Sequence, residues 1–443
     1  MKRDIYKSLL GWKTSPRRKP LLLKGARQTG KTYILKEFGA NEYDSCFYFN
    51  FEKDPLLKDF FSQQLQPDQL IRNLALYTHK TIHPERDLII FDEIQASNNA
   101  LKSLKYFQEE TPEYHLAAAG SLLGIALSGP GSFPVGKVNF LELYPMTFLE
   151  FLDAIEAGDL REYLEKTSKP DPFPNPLHLK LIQYLRTYYF TGGMPEAVAY
   201  YAEHKDLNEV REIQNEIIDA YALDFAKYAA SPDIPKLSLI WDSIPVQLAR
   251  ENKKFIFTML KKSARLRDFE NAIEWLEKSG LILRVFQVKT AKHPLKACVE
   301  EKIFKIYMLD VGLLGAMARI EPDIMIRGDR IFREYEGAFV ENYVAQQLKA
   351  AKAIDLYYWQ SSGTAEVDFI CEYSGHILPL EAKAGINPRS KSLKSFDQKF
   401  NPPILSRTTL LNLKKDNRFI NIPLYALLLF PELPASIEEI ESP

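Results

Sequence analysis

Residues Gly25-Ala26-Arg27-Gln28-Thr29-Gly30-Lys31-Thr32 follow the apolar run Leu21-Leu22-Leu23, and this junction constrains the chain more than any other feature in it. A buried strand running into a glycine-bounded loop that ends in Lys-Thr is the pattern of a phosphate-binding loop. The glycines let backbone N–H groups turn inward around an anion, Lys31 adds a point charge near the β- and γ-phosphates, and the Thr32 hydroxyl can complete a Mg²⁺ shell. A helix opening at Tyr33 would set its positive end against the same anion. Every residue from Gly25 to Thr32 is therefore a candidate nucleotide contact, and ATP with Mg²⁺ is the expected ligand.

A second run supports the first. Leu88-Ile89-Ile90-Phe91 is apolar throughout, as a central parallel strand is, and it ends in Asp92-Glu93. A carboxylate at that strand end holds Mg²⁺ through water, and the next one can polarise the attacking water. Asp92 is expected as the metal-side acid and Glu93, with Lys31, as the catalytic pair. A third run, Leu116 to Gly120, ends in Ser121, which is read either as a sensor of the γ-phosphate or as a helix cap.

At 443 residues the chain exceeds one ordinary core, so two or three domains are expected. A hydrophobic content of 46% with 26% charged residues describes a globular protein. No apolar run approaches the roughly 18 residues of a membrane span, and Met1 to Tyr6 lacks the apolar centre of a leader, so no membrane partner and a cytoplasmic location are expected. Cys46, Cys298 and Cys371 are scattered without metal-ligand spacing and fit a reducing compartment. The net charge of −1 gives no global sign of nucleic-acid binding.

The expected fold class is α/β. Apolar strands alternate with helical patterns over residues 1–155, which predicts a parallel sheet covered on both faces. Residues 156–230 read as a helical lid interrupted by Gly192-Gly193-Met194-Pro195, a tight connector. Residues 231–325 read as helices followed by strands, with an amphipathic helix over Arg265–Ser279 stopped by Gly280; a winged-helix-like domain is the expectation. Between Glu251 and Cys298 there are 11 Lys or Arg against 5 Asp or Glu, a local positive excess that makes DNA a candidate partner.

Residues 326–443 carry the other constellation. Asp368 at the start of one strand, Glu381 and Lys383 at the end of the next, and Glu341 on a preceding helix bring carboxylates and an ammonium to one sheet edge. Asp368 and Glu381 are expected to bind Mg²⁺ or Mn²⁺ with the Ala382 carbonyl, while Lys383 orients or deprotonates water for phosphodiester hydrolysis. Residues two apart in a strand share a face, so Glu381 and Lys383 can point into one site. The alternative is a surface salt bridge between those two residues.

Taken in order, G-A-R-Q-T-G-K-T, F-D-E-I-Q, L-Y-P-M-T-F-x-E-F, G-G-M-P-E, G-A-F-V-E-N, A-E-V-D-F and E-A-K resemble a prokaryotic family of AAA-superfamily ATPases that carry a C-terminal domain of uncharacterised function. The resemblance implies ATP binding at Lys31, Thr32 and Asp92, a winged helix in the middle and a restriction-endonuclease fold of the PD-(D/E)XK type at the C-terminus. It does not transfer an arginine finger: Arg27 occupies a loop position open to many residues, and Arg186 is the other candidate. The expected function is an ATP-driven switch over a DNA-associated, nuclease-like domain, with self-association or a protein partner also in view. The alternative is a regulatory ATPase scaffold whose C-terminal fold binds a protein or DNA without cutting.

Overall fold

Five short strands form the N-terminal sheet: β1 (Leu21–Lys24), β2 (Ser45–Asn50), β3 (Asp87–Asp92), β4 (His115–Ala119) and β5 (Asn139–Glu142). The computed structural model describes residues 1–63, 65–121, 123–126, 136–250, 253–322, 330–352, 354–385 and 390–441. The strands pair only in parallel, in the order β2-β3-β4-β1-β5. Parallel neighbours need crossovers, and the helices Lys31–Glu42 after β1 and Asn98–Glu110 after β3 belong to two of them.

Alternate residues of these strands feed different cores. Leu21, Leu23, Leu88, Ile90, Ala117 and Ala119 pack with Ile34, Leu35 and Phe38, while Leu22, Ile89, Phe91, Leu116 and Ala118 pack with Leu104 and Phe107. Both faces are thus buried, which is why β3 and β4 show apolar runs rather than alternation. The Phe91 ring fixes one layer, meeting Phe51 at 5.4 Å and Phe61 at 5.5 Å edge to face. Each such pair contributes about 0.5–1.5 kcal/mol beyond its buried area.

Two compact units divide the chain. One holds Lys2–Tyr144 with the short piece Lys278–Leu281; the other holds Pro145–Glu277 and Ile282–Pro443. Apart from Lys278–Leu281, the second unit contains the segments expected as the lid, the winged-helix-like domain and the nuclease-like domain.

Near the start of that second unit, the Thr147 hydroxyl and backbone exchange hydrogen bonds with Glu150 in a capping box that starts the helix Phe148–Ala154. Its sheet has eight strands, in the order β12-β13-β11-β10-β9-β8-β6-β7. These are β6 (Ile282–Val288), β7 (Val299–Met308), β8 (Tyr357–Gln360), β9 (Glu366–Tyr373), β10 (His376–Ala382), β11 (Leu405–Thr409), β12 (Lys414–Asp416) and β13 (Phe419–Pro423). The pair β6–β7, expected as the wing of a separate domain, joins this sheet through parallel pairing of Phe286–Val288 with Tyr357–Trp359. Trp359, Val367, Ile370 and Leu405 pack into one core with Val288, so the hairpin lies on the same hydrophobic layer as the C-terminal strands. A local helix-then-hairpin pattern could not reveal that pairing, because β8 lies some 70 residues downstream of β6.

Gly192-Gly193-Met194-Pro195 does more than connect the helices Asn175–Thr191 and Pro195–His204. The Gly193 N–H donates to Asp310 Oδ2 at 2.6 Å, the Gln346 amide donates to the same oxygen at 3.0 Å, and the Leu313 N–H donates to Oδ1 at 3.1 Å. A Cβ on Gly192, which has φ +65°, would lie 2.0 Å from Asp310 Oδ1, and one on Gly193 would lie 2.1 Å from the Met146 carbonyl oxygen. The glycines are there because Asp310 and the chain at Met146 come too close for any side chain.

Burial pushes the Asp310 carboxyl up to about 6, against the lowering effect of its backbone donors. The folded state therefore holds this proton more tightly than the unfolded chain does. The resulting stability is fully present below about pH 4, the ordinary Asp value, and is lost as pH rises through about 6. Asp310→Asn should flatten that part of the stability–pH curve. It should also lower unfolding free energy by ~2–3 kcal/mol, because an amide NH₂ would face one of the N–H donors; chemical denaturation between pH 4 and 7 checks both.

Candidate nucleotide-binding site

Because β4 lies between β1 and β3, the loop after β1 and the acid ending β3 emerge at the same carboxyl edge, two strands apart. Backbone at this edge is left-handed at several points: Gly25 has φ +147°, Gln28 +63° and Gly30 +93°. A Cβ on Gly25 would stand 2.2 Å from the Leu143 carbonyl oxygen, so glycine is required there. Gly30 caps the helix Lys31–Glu42, whose first N–H groups open toward the loop.

Lys31 is buried in the loop it serves. Its ammonium donates to the carbonyl oxygens of Gly25 at 2.9 Å and Ala26 at 2.6 Å. Burial pushes it down to about 8, with Glu93 and Asp92 pulling the other way. Thr29 Oγ1 donates to the Ala26 carbonyl at 2.9 Å and closes the turn. Arg3, which is also buried, donates to the carbonyl oxygens of Thr29 at 3.0 Å and Tyr144 at 2.6 Å, fixing the loop from its outer side.

Thr32 Oγ1 donates to Asp92 Oδ2 at 2.8 Å, so the two groups expected to hold Mg²⁺ meet across the edge. The hydroxyl of Tyr48, on β2, donates to the same oxygen at 2.6 Å, and Asn50 Nδ2 donates to the Tyr48 hydroxyl at 3.1 Å. A hydroxyl and a carboxylate oxygen in contact form a hard-donor set suited to Mg²⁺, and the lysine beside them suits its polyphosphate partner.

Glu93 follows Asp92 with φ +49°, a left-handed conformation that costs a non-glycine residue on the order of 1 kcal/mol or more. Its carboxylate accepts from the Gln95 side-chain amide, and its N–H donates to Asp92 Oδ1 at 3.1 Å. Gln95 also fills the space beside Gly120, where a Cβ would lie 1.9 Å from Gln95 Oε1. Ser121 follows β4, which lies between β1, the strand that leads into the loop, and β3, the strand that ends in Asp92.

The C-terminal candidates are arranged differently from expectation. Glu341 and Asp368 do meet, but around Lys305 on β7 rather than around an open position. Lys305 Nζ lies 3.2 Å from Glu341 Oε2, 2.5 Å from Glu366 Oε1 and 3.9 Å from Asp368 Oδ1. Lys253 pairs with the other oxygen of Glu341, and the Tyr307 hydroxyl donates to Glu341 Oε2 at 2.8 Å. Asp368 Oδ2 accepts the Ala382 N–H at 2.9 Å. Lys383 pairs with Glu381 Oε1 at 3.2 Å, as the salt-bridge alternative has it. Among the described residues no group of three or more His, Cys, Asp or Glu is placed to hold a metal ion. At the expected Mg²⁺ or Mn²⁺ site, Asp368 faces the Lys305 ammonium and Glu381 pairs with Lys383.

The basic excess between Glu251 and Cys298 is partly consumed as well. Lys253, Arg284 and Lys289 pair with Glu341, Glu277 and Glu300.

Sequence reading missed Arg3, Tyr48, Gln95, Lys305 and Glu366. Tyr48 had a signal, since Phe47-Tyr48-Phe49-Asn50 alternates apolar with polar and aims its polar members along the strand face shared with Asp92. Glu366 sits two residues before Asp368, hence on its face. Lys305 in the run Ile303-Phe304-Lys305-Ile306-Tyr307 is a charge within an apolar strand, and such charges are buried only when paired.

Three family models match parts of the chain: residues 17–152 match the AAA domain, residues 182–324 a domain of unknown function (DUF8612), and residues 336–427 another (DUF4143). No curated protein matches it. Among solved structures it is similar to the Walker-type ATPase PABY2304 of Pyrococcus abyssi, at 13% identity and a TM-score of 0.46 over 72% of this chain and 95% of that one. It is similar also to the Aeropyrum pernix ORC1 protein in complex with DNA, at 13% identity and a TM-score of 0.30 over 71% and 90%. AMPPCP-bound DnaA from Aquifex aeolicus stands at 12% identity and 0.25 over 62% and 84%. Likeness at that level speaks neither to ligand nor to partner. The loop geometry, the acid ending β3 and the matched AAA domain together make the N-terminal unit a P-loop ATPase domain.

Proposed function

We propose that the protein binds and hydrolyses ATP at the β1–β3 edge and acts as a nucleotide-driven switch on its own C-terminal unit. The observation that carries this reading is the contact of Thr32 Oγ1 with Asp92 Oδ2 at 2.8 Å beside the buried Lys31 ammonium. Mg²⁺, when bound, supplies charge neutralisation at the β- and γ-phosphates. Thr32 and Asp92 would hold it. Lys31 exchanges the carbonyl oxygens of Gly25 and Ala26 for phosphate oxygens, and the N–H groups opening the Lys31–Glu42 helix take the rest of the negative charge. Glu93 accepts a proton from water once its carboxylate leaves the Gln95 amide. Ser121, which follows the strand between loop and acid, is the proposed sensor of a γ-phosphate. Switching requires that ATP favour one arrangement of the chain over another.

For the C-terminal unit two readings stand: a nuclease-like domain acting on DNA, and a module that recognises DNA or a protein without cutting. The lysine-filled carboxylate cluster favours the second. ATP, a DNA or protein partner, and a second copy of the chain are the partners to test. No described helix is long and apolar enough to cross a membrane.

Lys31→Ala should weaken ATP binding at least about 100-fold, equivalent to ~3 kcal/mol, in a fluorescent-nucleotide titration. Glu93→Gln should keep binding near wild type while lowering turnover by about 10²–10⁴-fold. Turnover unchanged in Glu93→Gln would remove Glu93 from the base role, and binding unchanged in Lys31→Ala would remove the site. Tyr48→Phe deletes one bond to Asp92 and should weaken Mg²⁺-dependent nucleotide binding by about three- to tenfold, with little effect on Mg²⁺-free binding.

A further inference from the structure

Four carboxylates and three ammonium groups meet at one edge of the C-terminal sheet. Glu366 and Asp368 lie two apart on β9 and share a face. Leu380 of β10 pairs with Phe369 of β9, and continuing that antiparallel register by one residue sets Glu381 opposite Asp368. Glu341 comes from the helix Arg330–Lys352. In water such a cluster would be dispersed by repulsion; buried, it needs a cation.

The cation is part of the chain. Lys305 has no solvent exposure and touches three of the carboxylates, two of them at hydrogen-bond distance. Burial alone would lower its proton affinity, yet Glu341, Glu366 and Asp368 hold it above the ordinary lysine value. Glu341 is also buried, but Lys253 and Lys305 outweigh that and keep it ionised, while burial and the Glu341 charge push Asp368 up. Around this ammonium the Tyr307 hydroxyl donates to Glu341 Oε2 and the Ala382 N–H to Asp368 Oδ2, so both carboxylates have donors besides Lys305. Glu381 Oε2 is left buried without a hydrogen-bond partner beside them. Three carboxylates converging on one buried point call for a cation, the role a divalent ion could take, and Lys305 stands at that point.

We propose that the Lys305 ammonium is a resident substitute for a divalent cation, so that the wild-type cluster takes up no Mg²⁺ or Mn²⁺, and that removing the ammonium turns Glu341, Glu366 and Asp368 into a divalent-metal site. This deepens the reading of the C-terminal unit as a recognition module, because the same ion would be needed to activate water for phosphodiester hydrolysis. Lysine gives the sheet edge its counter-charge permanently, without dependence on metal supply.

The test is Mn²⁺ binding to the full chain without nucleotide, read from loss of the free-ion electron paramagnetic resonance signal. Wild type and Asp368→Asn should bind the same amount of Mn²⁺. Lys305→Met, close in size and uncharged, should bind about one further ion per chain, and adding Asp368→Asn to it should abolish that ion. Loss of a bound Mn²⁺ on going from wild type to Asp368→Asn would overturn the proposal, as would a folded Lys305→Met with no added ion. Should Lys305→Met not fold, the wild-type comparison with Asp368→Asn and Glu366→Gln decides alone: equal binding supports the proposal and loss refutes it. DNA cleavage by the wild type would instead count against the recognition reading, and the Mn²⁺ count reads Lys305 separately from it.

Discussion

The hydrogen bond from Thr32 to Asp92 joins the two ends on which the nucleotide-binding unit is built. One group stands at the start of the helix that follows β1 and the other at the end of β3, and they can meet only because β4 pairs in parallel between those strands. The register that brings Leu21 opposite Ala117 and Phe91 opposite Ala118 aligns the carboxyl ends. Small residues along β4 let both helical layers come down onto the sheet centre, and Gly120 continues that economy of volume by leaving space for Gln95. Hydrogen bonds to a charged acceptor contribute about 1.5–3 kcal/mol each, and Asp92 accepts two such bonds from hydroxyls on Thr32 and Tyr48. Its carboxylate is thereby fixed in place, and the Gln95 amide fixes the carboxylate of the strained Glu93 beside it.

The C-terminal unit solves a related electrostatic problem by other means. At the nucleotide edge, Asp92 is satisfied by hydroxyls, groups that a metal shell can share. At the β7–β10 edge, carboxylates are satisfied by an internal ammonium that no shell can accommodate. Removing one partner of such a buried network leaves an uncompensated charge and is costly, so Lys305 and Glu341 are expected to persist together. Asp310 forms a separate buried acid in the same unit, satisfied by N–H donors that include Gly193, Leu313 and Gln346, and the Gly-Gly turn delivers the first of them.

How much of this was legible in the sequence varies with the range of the interactions. The phosphate loop, its strand and the acidic end of β3 were readable because each is a local pattern: three or four apolar residues, then the polar groups. The parallel sheet followed from alternation of strands and helices. The pairing of β6 with β8 was not legible, since it is a long-range event that composition does not encode. Glu341, Asp368, Glu381 and Lys383 were found as a set, and the first two do come together with Glu366. What filled the space among them was a lysine on β7, a strand read for its apolar residues alone. Motif spacing names the carboxylates at a site; whether an ion or an ammonium neutralises them is decided by a residue outside the motif.

Hydrogen–deuterium exchange of the Glu93→Gln chain, with and without saturating ATP and Mg²⁺, tests the switch most directly. The account predicts protection in the loop Gly25–Thr32 together with altered exchange in segments of the C-terminal unit, such as β7 or the helix Asn175–Thr191. Changes confined to Lys2–Tyr144, with the C-terminal unit exchanging identically in both states, would contradict it.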